Sequence, residues 1–300
     1  MTLQQLEYVI ALHTHGQFST AAEHCFVSQP SLSAMIKKLE DELGVILFDR
    51  RKQPVTATAI GEQVIAQARI VLREAEALRQ IVQSQQEIPS GTLKTGIIPT
   101  IAPYLLPLFV EDFSVRYPAI QLEVYENTTD NIERMLKQGI VDACIIATTP
   151  SDSRWATFPL YNEEFVVYAP HESSILAKNY LIAEDIDPQK VVLMEEGHCI
   201  RDQVINLCEL RQVHSRLHNI FFEAGNLETL RRLVESHSGI TILPQLALLD
   251  LDEERMQHVR FFKQPAPVRE VILTTNAKCP KQYLTDALIR VIMDNLPANF

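Results

Sequence analysis

No apolar run in the 300-residue chain approaches the about 20 residues needed to span a bilayer, so no membrane partner is expected. The opening stretch MTLQQLEYVIALHTHG has neither a basic start nor a small-residue cleavage site. That excludes a secretory signal and predicts an amphipathic helix. Cysteine is scarce: five residues, odd in number and widely spaced, exclude a disulfide framework and predict the reduced thiols of a cytoplasmic protein. There is no Walker loop, no dinucleotide fingerprint and no Cys/His group with zinc spacing, so no cofactor and no metal are expected. Positive charge is also short, with 27 Lys and Arg against 38 Asp and Glu, net −11. Averaged over the chain, this argues against a polyanionic partner. The average conceals an asymmetry. Residues 1–88 carry 8 basic and 10 acidic side chains, net −2, so most of the acidity lies further on.

What is present divides the chain into three parts. Within 1–58, Phe18, Ala21, Ala22, Cys25 and Phe26 fall on one face of a short helix, and Thr20 with Glu23 has capping-box spacing at its start. Ser28 can cap a second helix, in which Pro30 is tolerated in the first turn. Leu32, Met35, Ile36 and Leu39 give that helix a buried face, leaving Gln29, Ser31, Ser33, Lys37 and Lys38 at its terminus or outside. The β-prone run VILFDRRKQPVTAT follows. Residues 59–88 place Val64, Ala68, Val71, Ala75, Leu78 and Val82 on a heptad seam, which predicts a linker helix that pairs with a second copy. The alternative is a helix packed only on its own domain. Pro89, Ser90 and Gly91 end it.

Residues 89–300 alternate strand and helix. Strands are expected at 93–98, 121–126, 142–148, 164–169, 190–195, 219–224, 239–243, 258–262 and 270–275. Helices are expected at about 103–117, 129–138, 201–210, 227–237 and 281–296. This predicts an α/β domain of two lobes built on parallel sheet.

Two short helices with polar groups on the second suit a helix-turn-helix, whose second helix enters the major groove amino end first. Gln29 can read adenine through its amide; Ser31 and Ser33 can meet base or phosphate, and Lys37 phosphate or guanine. Arg50, Arg51 and Lys52 form the strongest basic cluster, where a wing would follow the backbone. Small helical modules with lysine on a solvated face are common, and most bind nothing. The residues carry more than that pattern. FSTAAEHCFVSQPSLSAMIKKLEDELGVILFDR, with its AA pair, SQPSLS turn, KKLE run and LGVILFDR wing, resembles the winged helix-turn-helix of LysR-type transcriptional regulators. The resemblance implies a winged helix-turn-helix domain over 1–58, with Pro30 in its reading segment, and a linker helix over 59–88. It further implies a periplasmic-binding-protein-like regulatory domain over 89–300, with lobe I about 92–162 plus 268–300 and lobe II about 163–267. Promoter DNA, RNA polymerase and a homotetramer made as a dimer of dimers are the implied partners.

The segment EEGHCIRDQVINLC, 195–208, follows the apolar run VVLM, so it opens a helix at a strand's carboxyl end, where sites in α/β sheets lie. Cys199 sits near the helix start beside His198 and Arg201, neighbours that lower a thiol pKa. Were 201–208 helical, Cys199 and Cys208 would stand roughly 13 Å apart in Cα, beyond the about 7 Å a disulfide allows. A bond would then need unwinding, which makes the pair a candidate two-state switch; two unrelated cysteines are the alternative. GHCIRDQVINLC and GIIPTIAPYLLP (96–107) are similar to the hydrogen peroxide-sensing subfamily of the LysR-type regulators. This implies Cys199 as the residue oxidised by peroxide and Cys208 as its disulfide partner. It also implies Thr100, Thr129, His198 and Arg269 around the peroxide, and an activator of oxidative-stress genes rather than an enzyme. A regulator answering a small organic effector and a thiol peroxidase are the competing readings. The stretch ELRQVHSRLHNIFF departs from the subfamily pattern: Phe221 stands where a polar residue is usual, with His214 and His218 nearby. Cys25 and Cys144 read as structural, and Cys279 as an exposed loop thiol.

Overall fold

The structure is a computed structural model of the full chain, and it describes all residues except 84–88, 209–215, 218–219, 222–223, 237–238, 278, 280 and 299. Two compact units are resolved by their internal contacts, Met1–Glu87 with Lys137–Ile140, and Ile88–Leu136 with Val141–Phe300.

The first unit holds α1 (Leu3–His15), α2 (Phe18–His24), α3 (Gln29–Leu43), β1 (Phe48–Asp49), β2 (Thr56–Ala57) and α4 (Ala59–Gln83). Thr2 and Gln5 cap α1 reciprocally, and the buried Gln5 amide donates to the Met35 carbonyl, tying α1 to α3. Leu6, Val9, Leu12, Ala21, Leu32, Ile36, Leu39 and Phe48 close the core. Ser28 caps α3 by accepting from the Ser31 N–H, with Pro30 in the first turn. Two sequence expectations fail here. Thr20 does not cap α2; the N-cap is Gln17, and the Thr20 hydroxyl donates to its side chain. Phe26 is not on the apolar face of α2. The helix stops two residues earlier, at His24, and Phe26 occupies the αL turn position at φ 55, 95% exposed.

Antiparallel β1 and β2 form the wing. The α4 amino end presses against it: a Cβ on Gly61 would lie 2.1 Å from the Leu47 carbonyl oxygen. Gly61→Ala must therefore move backbone, and it is expected to cost this unit at least the about 1–3 kcal/mol typical of overpacking, read as lowered urea resistance of the isolated fragment's helical signal. Of the heptad seam, Ala68 is buried and Val64 and Val71 pack on the unit's own core, whereas Leu78 is 69% exposed. The Val82 side chain lies outside the described residues.

The second unit runs β3 (Gly91–Ile97), α5 (Ala102–Arg116), β4 (Ile120–Glu126), α6 (Thr129–Lys137), β5 (Ala143–Ile146), β6 (Trp155–Tyr168), β7 (Tyr180–Leu181), α7 (Cys199–Leu207), β8 (Arg216–Leu217), β9 (Ile220–Phe221), α8 (Leu227–Ser236), β10 (Thr241–Pro244), α9 (Glu253–Met256), β11 (Val259–Phe262), β12 (Val268–Asn276) and α10 (Gln282–Asn295). The strand order is β4-β3-β5-β12-β6-β11-β7, with β10 also on β6. The sheet is mixed, not parallel as the alternation of elements predicts. β3 pairs in parallel with β4 and β5, but β12 runs antiparallel to β5 and β6.

Strand β6 makes the two lobes. Its residues Trp155–Glu164 pair with β12; its residues Phe165–Tyr168 pair with β10 and, from Val166 on, with β11. One strand thus belongs to both sheets and crosses between the lobes. The sequence expectation began it at 164, because Pro159 and the polar NEE stretch interrupt the apolar run. Pro159 is accommodated where the β6–β12 register shifts between Val271 and Ile272, as a residue without an N–H requires. Beyond β10, parallel bridges at Val191–Ile240 and Met194–Ala224 carry the second sheet to the segment that precedes α7.

Candidate functional site

Helix α3 and the wing present one surface. Gln29, Pro30, Ser31 and Lys37 are exposed, Ser33 is half-buried, and Arg51 and Lys52 are exposed on the wing turn. The Ser31 hydroxyl is shared with the capping Ser28, 2.8 Å away. Arg50 is exposed as well, but it is tied to the fold: it donates to Glu40 at 2.8 Å and lies 5.3 Å over the Phe18 ring. Glu40 also accepts from the Leu47 and Phe48 N–H groups, so one buried carboxylate fastens the wing to α3. The concavity between them, about 870 Å³, is lined by Lys37, Asp41, Ile46, Asp49, Arg50 and Arg51 among others.

The cysteine site lies in the second unit. Strand β3 ends at Thr100's turn, β4 leads into Thr129, and the bridged segment 191–194 leads into Gly197, His198 and Cys199. Gly197, at φ 91, is 3.8 Å from Thr128 at its would-be Cβ, which sets the α7 loop against the start of α6. Cys199 is the first residue of α7 and buried. Thr100, His198 and Arg269 are buried too, at 1%, 4% and 3% exposure. Arg269 on β12 donates through Nη1 to the Thr100 hydroxyl and through Nη2 to the Thr100 carbonyl, both 3.1 Å. Its Nε donates to Glu163 at 2.8 Å. Thr129 interacts with the Cys199 sulfur, and its hydroxyl oxygen is a buried atom without a conventional hydrogen-bond partner. His198 Nε2 is 3.5 Å from Glu195.

The structure corrects the expected thiol chemistry. Burial pushes the Cys199 thiol above its ordinary value; Arg269, Thr129 and nearby backbone N–H groups pull it only part of the way back. Arg201 supplies no help, because its guanidinium turns to the Met194 carbonyl at 2.7 Å. The cation facing the sulfur comes instead from a strand 70 positions away in sequence.

Cys208 caps the far end of α7, half-buried, its thiol pushed up to about 11 by burial. Nine residues of helix hold the two sulfur-bearing Cα atoms about 13 Å apart. Both cysteines are unpaired. Two residues escaped the sequence reading. Gln203 lies one turn after Cys199 on the same face and donates to the Ala147 carbonyl at 2.6 Å; the i+4 spacing was a usable signal. Glu163 had none, since only strand register brings it to Arg269. His214 and His218 lie outside the described residues, as does the Phe221 side chain. Cys144 is buried in β5, whereas Cys279 is half-buried rather than an exposed loop thiol. Among the described residues no group of three or more His, Cys, Asp or Glu is placed to hold a metal. No helix among them is long and apolar enough to cross a membrane.

A helix-turn-helix unit joined to a two-lobed α/β domain with a buried, polar-lined cysteine defines a bacterial regulator of the LysR class. The chain belongs to that family: residues 3–62 match the bacterial regulatory helix-turn-helix protein of the lysR family, and residues 86–297 the LysR substrate binding domain. It is 33% identical over 298 residues to the hydrogen peroxide-inducible genes activator of Haemophilus influenzae, covering 99% of this chain and 97% of that one. The DNA-binding transcriptional dual regulator OxyR of Escherichia coli is also 33% identical, over 100% of this chain and 97% of its own. A full-length OxyR variant from Pseudomonas aeruginosa superposes with a TM-score of 0.82 at 36% identity, over 98% of both chains.

Proposed function

We propose that this chain is a hydrogen peroxide-sensing transcriptional activator that binds promoter DNA and is switched by oxidation of Cys199. The observation that carries it is the buried Cys199 at the start of α7, gathered with Thr129, Thr100 and Arg269 in a chain that also holds a helix-turn-helix. The relatives named peroxide-inducible activators support the same reading.

The chemistry follows from the groups present. The Cys199 sulfur, as thiolate, attacks one peroxide oxygen; the O–O bond breaks and hydroxide leaves. Sulfur is oxidised to sulfenic acid while peroxide is reduced. Thr100 and Thr129 hydroxyls can hold the two peroxide oxygens, with His198 at the edge, and Arg269 stabilises the anionic sulfur and the departing hydroxide. The Cys208 thiol then displaces water from the sulfenic acid, forming the disulfide. A helix of nine residues forbids that bond, so α7 must unwind, and that rearrangement is the signal. A thiol peroxidase has no use for the DNA-reading unit, so the protein acts as a regulator and not as an enzyme.

In this reading 1–58 is the DNA-binding domain, 59–88 the dimerisation helix with Leu78 on its free seam, and 89–300 the sensor. Gln29, Pro30, Ser31 and Ser33 face the major groove, with Lys37, Arg51 and Lys52 on phosphates. Two dimers sum weak half-site contacts, since residues 1–88 carry net −2, and RNA polymerase is the downstream partner. Footprinting of reduced and oxidised protein on the gene's own upstream region tests the proposal. A shift of protected half-sites on oxidation is expected, and identical footprints would refute it.

Lys37 and Arg50 separate cleanly. Lys37→Ala should weaken binding and reduce the slope of log affinity against log salt by about one, as loss of one phosphate contact does. Arg50→Ala should in addition lower the melting temperature of the first unit, because it strips the buried Glu40 of its cation. Anisotropy titrations at several salt concentrations, beside melting curves, read both.

A further inference from the structure

The most deeply buried ion pair described in this protein stands at the crossing between the lobes. Glu163 and Arg269 face each other in the β6–β12 register, their side chains 0% and 1% exposed, with carboxylate and guanidinium 2.7 Å apart. Two residues further on, at Phe165, β6 leaves β12 and begins to pair with β10. The second Glu163 oxygen accepts from the Leu246 N–H at 3.1 Å, in the turn after β10. One carboxylate therefore joins both crossing strands and the second lobe. Through Arg269 it reaches Thr100, and the Arg269 charge acts on the thiol of Cys199.

Two consequences follow from this placement. A planar guanidinium fixed by Glu163 on one side and Thr100 on the other has its orientation set before any peroxide arrives. In addition, a full negative charge in van der Waals range of that guanidinium, with no water between, cancels much of the positive field that Arg269 would exert on the sulfur. The other groups around the pair do little to alter this. Tyr161 on the same strand lies near Arg269 and is neutral at ordinary pH, since burial pushes its hydroxyl up. His198 faces Glu195, and Arg201 faces the Met194 carbonyl.

We propose that Glu163 is a positioning residue of the sensing site, which aims Arg269 and offsets its charge, so that it sets how readily Cys199 reacts. Glu163 restrains the sensor: it keeps the resting thiol sluggish while holding the cation ready for the anionic sulfur. The inference rests on Cys199 being the reacting thiol, but it is tested without peroxide, so its failure is distinguishable from failure of the peroxide reading.

The test is the pH profile of Cys199 alkylation by iodoacetamide in the full chain, resolved from the other cysteines by peptide mass spectrometry. Glu163→Gln keeps an acceptor for Arg269 and removes the charge. Its midpoint is expected to move to lower pH, and the rate at pH 7 to rise by about threefold or more, since a tenfold gain in thiolate corresponds to one pKa unit. Glu163→Asp, which keeps the charge, should return the midpoint most of the way to that of the natural chain. A purely structural role would leave the midpoint in place or alter all five thiols together, and either result overturns the proposal. Should Glu163→Gln not fold, the double variant Glu163→Gln with Arg269→Gln buries no unpaired ion. Its midpoint is expected to stay near that of the natural chain, because both charges leave together. A large upward shift in the double variant would mean that Arg269 acts unopposed, and would overturn the proposal.

Discussion

Cys199→Ser is expected to abolish every peroxide-induced change in this protein. Serine keeps the size and the hydrogen-bonding shape of the residue at the head of α7, and its hydroxyl cannot be oxidised by peroxide. No sulfenic acid forms, no disulfide to Cys208 follows, and α7 has no cause to unwind. Peroxide-treated and alkylated Cys199→Ser protein should therefore show Cys208 fully modified, and its DNA footprint should match that of the reduced natural chain. Cys208→Ser should behave differently: oxidation of Cys199 proceeds and a sulfenic acid becomes trappable by a dimedone reagent. The pair of variants separates the attack on peroxide from the helix rearrangement. Retention of a peroxide-dependent footprint in Cys199→Ser would place the sensing thiol elsewhere, and Cys279, half-buried in its loop, would be examined next.

Arg269→Ala is expected to be the most destabilising single change at the site. The guanidinium is buried and supplies donors to Glu163 and to both oxygens of Thr100. Truncation strands a carboxylate that is itself fully buried. Breaking a buried pair by removing one partner costs about 3–5 kcal/mol, because the remaining charge loses its counterion without regaining water. Urea unfolding of the sensor domain should show that loss as a lower midpoint. Alkylation of Cys199 should slow as well, since the thiol loses the Arg269 charge that lowers its pKa and keeps the Glu163 charge nearby. A variant as stable as the natural chain would mean that water or another cation replaces Arg269.

The two cysteines illustrate how far spacing reaches. Their separation along one helix was legible because helix rise is fixed, although α7 spans Cys199–Leu207, beginning two residues before the expected 201–210 and ending three before it. The thiol's character was not legible. Neighbours in sequence, His198 and Arg201, pointed to a lowered pKa, and burial in the fold reversed the sign. Arg201 and Arg269 looked equally cationic on paper; the fold turns Arg201 to the Met194 carbonyl and ties Arg269 to Glu163 and Thr100, from where its charge acts on the Cys199 thiol. The helix-turn-helix divides in the same way. Ser28, Pro30 and the buried face of α3 follow from rules that act within a few residues. Phe26 escaped because the αL turn residue is chosen by how α2 and α3 pack, and an apolar periodicity cannot say where a helix stops.

The sequence by itself determined most of the helices, the long helix over 59–83 among them, and the motifs that mark the family. Those features are encoded in caps, periodicities and short signatures, each complete within one or two turns of chain. The tertiary structure alone decided that the sheet is mixed, that β6 serves both lobes, and that Glu163 meets Arg269 across 106 positions. Strand partnership and register depend on which edges meet when the whole domain closes. A charge on one strand therefore has no visible partner until the sheet is formed.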